Sequence, residues 1–112
     1  MTSLKEIEIP TSVTEFGYRL FYRCSSLTSI ALHENYSEVK YMDFYYCSSL
    51  SRIVLPSTVT KIDHEAFRYC RSLTSINLEN IKTFGRGCFV GSGITREKYP
   101  QLPEHCFKLP WE

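Results

Sequence analysis

The stretch Leu50–Ser72, LSRIVLPSTVTKIDHEAFRYCRS, decides the reading of the chain, because the segments on either side repeat it. Cys24, Cys47 and Cys70 stand 23 residues apart. The same interval separates Leu27, Leu50 and Leu73; Ile30, Ile53 and Ile76; Leu32, Leu55 and Leu78; and Phe21, Phe44 and Phe67. A fixed period of about 20–50 residues marks a solenoid of stacked turns. Each turn buries its apolar edge against the next, so 112 residues form one domain without a spherical core.

The period divides the chain into turns 4–26, 27–49, 50–72 and 73–92, followed by a shortened fifth turn and cap over 93–112. Pro10 and Pro56 suit corners where a strand ends, since proline fixes φ and has no N–H to donate. The second turn has His33 at that corner and Tyr36 in the column of Val13 and Val59. The fourth turn lacks one residue, so Ile81 and Phe84 come one place early. Cys88 fills the small-residue position of Ala66, and Ser92 stands in for the ladder cysteine. Met1 falls in the cysteine column, so the chain starts mid-turn with no polar cap ahead of its first strand. Such an edge expects either further repeats before it or another molecule against it, including a second copy in a homodimer. At the other end Cys106-Phe107 echoes Cys88-Phe89, and Pro100, Pro103 and Pro110 with Trp111 read as a stop to strand addition.

The LxxIxL pieces predict short strands, which must pair in parallel because each follows a complete turn in the same sense. Val59–Ile62, with Val13–Phe16 and Ile81–Phe84, predicts a second run of strands on the opposite side. HEAFRYC is too short for an independent helix and predicts one helical or 3₁₀ turn that seats Phe67 and Cys70 inward. Ile94 predicts one more strand-like element.

Composition narrows the function. Net charge is +1 with acids and bases interspersed, unlike a nucleic-acid or polyanion surface. No apolar run approaches the roughly 20 residues that cross a bilayer, so membrane insertion is not expected. The first residues, MTSLKEI, lack the basic head and apolar core of a signal peptide. Stacked cysteines present parallel side chains that suit disulfides poorly, and five is an odd number. They read as buried free thiols, which lean towards a reducing cytoplasm. Asn35-Tyr36-Ser37 is a glycosylation triplet that matters only in an exported chain.

Catalytic signals are poor. His33-Glu34 and His64-Glu65 lack the second histidine of a zinc motif, and Asp63-His64-Glu65 is consecutive, so its side chains diverge. His105-Cys106 has no evident third group to orient it. The close cysteine pairs typical of zinc sites and a phosphate-binding loop are both missing, and Gly85, Gly87, Gly91 and Gly93 read as turn residues. The sequence therefore predicts no enzyme, no cofactor and no metal.

The repeat LxxIxLPxxVTxIxxxAFxxCxx resembles the BspA-type leucine-rich repeat. Leu50, Ile53, Leu55, Pro56, Val59, Thr60, Ile62, Ala66, Phe67 and Cys70 carry the likeness in the third turn, and Leu4, Ile7, Ile9, Pro10, Val13, Thr14, Gly17, Phe21 and Cys24 in the first. It covers about residues 1–92. The resemblance implies a mostly β, right-handed α/β-type solenoid with a short parallel sheet on its concave side. It also implies protein–protein recognition or adhesion, often in cell-surface proteins of bacteria and parasitic protists, and supplies no catalytic residues.

Two surfaces could carry such recognition. On the sheet, Glu6, Ser29, Arg52 and Ser75 form one outward column, and Glu8, Ala31, Val54 and Asn77 the next. Their mixed chemistry suits either a partner-reading face or a merely solvated one. After each core phenylalanine, Tyr22, Tyr45 and Arg68 form a column beside Arg23, Tyr46 and Tyr69. Tyrosine and arginine are typical interface anchors, though tyrosines also pack across repeat junctions. The sequence thus predicts a non-catalytic protein-binding module with an unnamed partner, or alternatively a self-assembling segment of a larger surface protein.

Overall fold

The computed structural model describes residues 6–10, 12–13, 16–109 and 111. Met1, Leu4, Thr14 and Pro110, which entered the repeat and cap expectations, lie outside the described residues. The rest form a stack of turns joined by short parallel strands: β1 (Glu6–Glu8), β2 (Ser29–Ala31), β3 (Arg52–Ile53), β4 (Lys61–Ile62), β5 (Ser75–Ile76) and β6 (Thr83–Phe84). On one side β1 pairs with β2, placing Glu6 beside Ser29 and Glu8 beside Ala31, while β3 pairs with β5, placing Arg52 beside Ser75. On the other side Lys61 meets Thr83 and Ile62 meets Phe84, with Val39 bridged to Ile62. The β4–β6 register is one residue shorter than the others, as the missing residue of the fourth turn requires.

The first side differs from the single sheet expected. Among the described residues, β2 and β3 share no strand ladder, and a shallow depression of about 310 Å³ lies between them, lined by Thr28, Ser29, Ile30, Arg52 and Val54. The corner after each strand is uniform: the N–H groups of Val13, Tyr36, Val59 and Ile81 donate to the carbonyls of Pro10, His33, Pro56 and Leu78 at 2.9–3.0 Å. His33 keeps the corner without proline, its Nε2–H donating to the Pro10 carbonyl at 2.7 Å while Nδ1 accepts the Asn35 N–H at 3.2 Å.

Inside the stack, Phe21, Phe44, Phe67 and Phe89 form one column, with successive centroids 5.2, 5.1 and 5.6 Å apart and Phe107 following at 6.3 Å. Each of the first four donates its backbone N–H to the next turn, at the carbonyls of Asp43, Ala66, Cys88 and Cys106, over 2.8–2.9 Å. All five cysteines are buried free thiols. Cys47 donates its S–H to the Phe21 carbonyl at 3.1 Å, and Cys70 to that of Phe44 at 2.9 Å. Burial pushes the thiols of Cys24, Cys70 and Cys88 upward, so they stay protonated and unreactive.

HEAFRYC seats Phe67 and Cys70 inward as expected, but forms no helical turn. Glu65 and Tyr69 take left-handed backbone angles, φ 56° and 64°, which break each turn before it propagates. Ile94 is buried in an irregular segment, not a strand. The last full rung is closed chiefly by side chains: the Tyr99 hydroxyl accepts the Ile76 N–H at 3.0 Å, and Lys98 donates to the Thr74 carbonyl at 2.8 Å. The single 3₁₀ turn among the described residues, Glu104–Phe107, completes this end.

One buried polar pair was not evident in the sequence. Tyr36 and Asp43 are fully buried, and the Tyr36 hydroxyl donates to Asp43 Oδ2 at 2.7 Å. The carboxyl also accepts the Lys40 N–H at 3.0 Å and the Leu20 N–H at 3.1 Å. Burial raises the Asp43 carboxyl above its ordinary value despite these donors, and pushes the Tyr36 hydroxyl well up. A raised acid binds its proton more tightly folded than unfolded. The stability it lends is therefore full below about pH 4, where the unfolded carboxyl titrates, and is lost as pH rises through the folded value.

Tyr36→Phe should cost about 1–2 kcal/mol in urea unfolding, and Asp43→Ala about 3 kcal/mol, since it strands three donors. Relative to Asp43→Asn, the wild type should lose ground as pH rises from about 4 through the raised folded value; a difference constant with pH would refute the titration. Cys47→Ala should cost about 1–2 kcal/mol through its cavity and lost donor, whereas reductant should leave the wild-type midpoint unmoved.

Candidate recognition surface

The two columns on the sheet are placed as the sequence suggests, but only partly free. Glu6, Glu8, Ser29, Ala31, Arg52 and Val54 are exposed, Val54 at 59%. Ser75 and Asn77 are half-buried. The Asn77 side chain imitates a strand, accepting the Leu55 N–H at 2.7 Å and donating to the Leu55 carbonyl at 2.9 Å. Its amide holds β3 to β5 and is already committed to that task.

The second surface grows out of the backbone. Each turn carries two left-handed positions four residues apart. The first column is Arg19, Met42, Glu65 and Gly87, with φ of 58°, 56°, 56° and 68°; the second is Arg23, Tyr46, Tyr69 and Gly91, with 61°, 61°, 64° and 73°. This conformation swings the N–H along the stack. Arg19, Arg23, Tyr46, Glu65, Tyr69 and Gly87 donate to the carbonyls of Tyr41, Tyr45, Arg68, Arg86, Val90 and His105, at 2.7–3.1 Å. Left-handed angles cost an L-residue roughly 1–2 kcal/mol and glycine little. The fourth turn uses glycine at both positions; at Gly91 a Cβ would lie 2.6 Å from the Tyr69 ring. Turns one to three carry six side chains there despite the strain.

Four of those side chains, Arg19, Arg23, Tyr46 and Tyr69, join neighbouring ones in a ladder. Tyr22 and Tyr45 stack at 4.9 Å with planes 8° apart. Tyr69 meets Tyr45 and Tyr46 edge-on at 5.8 and 5.6 Å. Arg19 covers Tyr22 at 5.5 Å and Tyr41 at 5.6 Å. Arg23 and Arg71 both lie over Tyr46, at 5.3 and 5.6 Å. Arg68 lies 4.7 Å from the Tyr69 ring centre and 5.8 Å from those of Tyr45 and Trp111. The structure thus brings Tyr22, Tyr45, Tyr46, Arg68 and Tyr69 together in the two expected columns, and adds Arg19, Tyr41, Arg71 and Trp111. The Gly87-x-x-x-Gly91 spacing was the available signal for the left-handed columns and hence for Arg19. Trp111 follows no period.

The charge is one-sided here, although the chain's net charge is only +1. Glu65 is buried and pairs with Arg68 Nη1 at 2.6 Å, while Arg68 Nη2 donates to the Tyr69 hydroxyl at 3.1 Å. Among the described residues, Arg19, Arg23 and Arg71 make no ion pair. The histidines serve the stack instead. His64 Nδ1 accepts the Arg86 N–H at 2.8 Å, and His105 Nε2–H donates to the Phe84 carbonyl at 2.8 Å. Glu65 is engaged by Arg68, while Asp63, expected to diverge from its neighbours, has Oδ1 3.9 Å from His64 Nε2 and accepts the His64 N–H at 2.7 Å. Among the described residues, no His, Cys, Asp and Glu side chains gather to hold a metal. No helix of these residues is long and apolar enough to cross a membrane.

Comparison with known proteins agrees with the fold. The family model for the BspA type leucine rich repeat region (6 copies) matches residues 1–109. The crystal structure of a leucine-rich repeat protein from Bacteroides ovatus is similar, with a TM-score of 0.69 and 32% identity over 79% of this chain. The match spans only 23% of that longer protein. No curated protein matches. Repeats of this kind commonly mediate protein–protein interaction and are typically non-enzymatic. The chain belongs to the BspA-type leucine-rich repeat family.

Proposed function

We propose that the chain is a non-catalytic protein-recognition segment, and that its reading surface is the arginine–tyrosine ladder. One observation carries this: left-handed positions that glycine fills in the fourth turn hold Arg19, Arg23, Tyr46 and Tyr69 in the others. The stack needs the backbone angle at these places, which glycine adopts with less strain than a larger side chain. A partner gains from the side chains: Tyr and Arg offer rigid amphipathic area, and exposed Tyr22 and Trp111 flank the half-buried centre. The match to under a quarter of a longer repeat protein favours a binding segment within a larger surface protein over a free cytoplasmic adaptor. The cysteines do not oppose this, since buried thiols survive in either compartment.

A second reading is self-assembly. Among the described residues β1 pairs with β2 alone, so its other edge is open to a second copy. Ile7→Lys would charge that edge and should abolish any concentration-dependent mass in sedimentation; a wild type that stays monomeric at high concentration ends this reading.

The ladder is tested by crosslinked capture from the source cell. Arg23→Gly should fold within about 1 kcal/mol of wild type, relief of the left-handed angle offsetting the lost cation–π contact. It should also lose the captured protein, as should Tyr46→Gly, while Arg52→Glu on the sheet retains it. The reverse pattern would assign recognition to the sheet.

A further inference from the structure

The ladder also indicates what kind of partner it fits, an inference that rests on the reading just given. We propose that it binds an extended acidic polypeptide segment, whose carboxylates sit on Arg19, Arg23 and Arg71. A guanidinium lying over a ring spends its face on the π system and keeps its N–H groups in plane, where they match a carboxylate. Three of the four ladder arginines are held this way, and among the described residues none of the three makes an ion pair. The fourth, Arg68, has a side chain only 14% exposed and is already paired with Glu65, so it is left out of the proposed contacts.

Spacing and ring geometry select polypeptide over nucleic acid. Arg23 and Arg71 sit two rungs apart, about 10 Å at sheet spacing, which three residues of extended chain also span. Duplex DNA would present a charge every 1.7 Å or so, far denser than these separated cations. Single strands bind by stacking bases on open aromatic faces. Here Tyr22 and Tyr45 face each other, and Tyr46 carries Arg23 and Arg71. The ring edges and hydroxyls remain, and they suit backbone amides and side chains.

The probe is a fluorescein-labelled 12-residue peptide of Gly-Ser-Glu repeats, with a Gly-Ser-Gln counterpart and a 12-nucleotide oligothymidine, read by anisotropy at low ionic strength. The Glu peptide should bind, weaken with added salt, and exceed the Gln peptide and the oligonucleotide. Arg23→Gln combined with Arg71→Gln should weaken it about tenfold, while Arg52→Gln leaves it unchanged. Equal binding of the Glu and Gln peptides, tighter binding of the oligonucleotide, or equal loss in Arg52→Gln would overturn the proposal. If Arg23→Gly loses the cellular partner yet the Glu peptide fails to bind, the acidic segment is wrong and the ladder stands. If neither depends on the ladder, both fall.

Discussion

The N–H of each core phenylalanine reaches one turn ahead, to the carbonyl before the next phenylalanine, and the rest of the structure depends on that reach. The bond recurs from Phe21 to Phe89 at 2.8–2.9 Å. It can recur only if every turn presents the same group at the same place. The rings then stack at about the spacing of adjacent strands, and a thiol three residues later meets the phenylalanine carbonyl of the turn before. Two left-handed residues per turn follow from the same demand, because six of the eight aim an N–H at the next rung. A short chain obtains a core this way because burial and hydrogen bonding are satisfied rung by rung.

Where a turn departs from the pattern, a side chain takes over what the backbone or column residue would have done. Turn two replaces valine by Tyr36 and the small residue by Asp43, and the two bond to each other. Either alone would bury a polar group without its partner, at a cost of about 1–3 kcal/mol. His33 replaces proline and ties itself to the Pro10 carbonyl. Asn77 continues the β3–β5 ladder past Ile76 with its amide, and the Tyr99 hydroxyl meets the N–H that another strand would have paired. Paired departures of this kind preserve the stack.

The period was legible because it is written in residue types: Phe, Cys, Leu and Ile recur at one interval, and their burial follows. The two tyrosine–arginine columns could be read from the same interval. Asp43 could not, because a lone acid among charged residues gives no sign that Tyr36, seven residues earlier, will fold over it. The missing ladder between β2 and β3 has no counterpart in a sequence whose LxxIxL pieces look alike. The expected helical turn in HEAFRYC failed because Glu65 and Tyr69 are ordinary residues in a conformation that composition assigns to glycine; only Gly87 and Gly91, one turn later, betray it. Net charge misled about the surface for a related reason. Acids and bases alternate along the chain, but the period gathers Arg19, Arg23, Arg68 and Arg71 on one side.

A column in such a stack repeats about every 4.8 Å, and filling one with arginine would set like charges at that distance. In water each adjacent pair would repel by nearly 1 kcal/mol, and by several where the site is partly desolvated. Interleaving tyrosine doubles the distance to roughly a Debye length at 0.1 M salt. It also supplies cation–π attraction: the Tyr46 ring takes Arg23 from its own column and Arg71 from a neighbouring one. Each of the two columns accordingly carries one arginine with two tyrosines, Arg68 with Tyr22 and Tyr45 and Arg23 with Tyr46 and Tyr69, so no arginine stands directly over another. The buried Glu65 carboxylate neutralises the one arginine placed deepest, and the others keep their charge at the surface. The positive face is therefore compatible with the fold because of its aromatic members, and the same members give it the amphipathic area that recognition of a polypeptide requires.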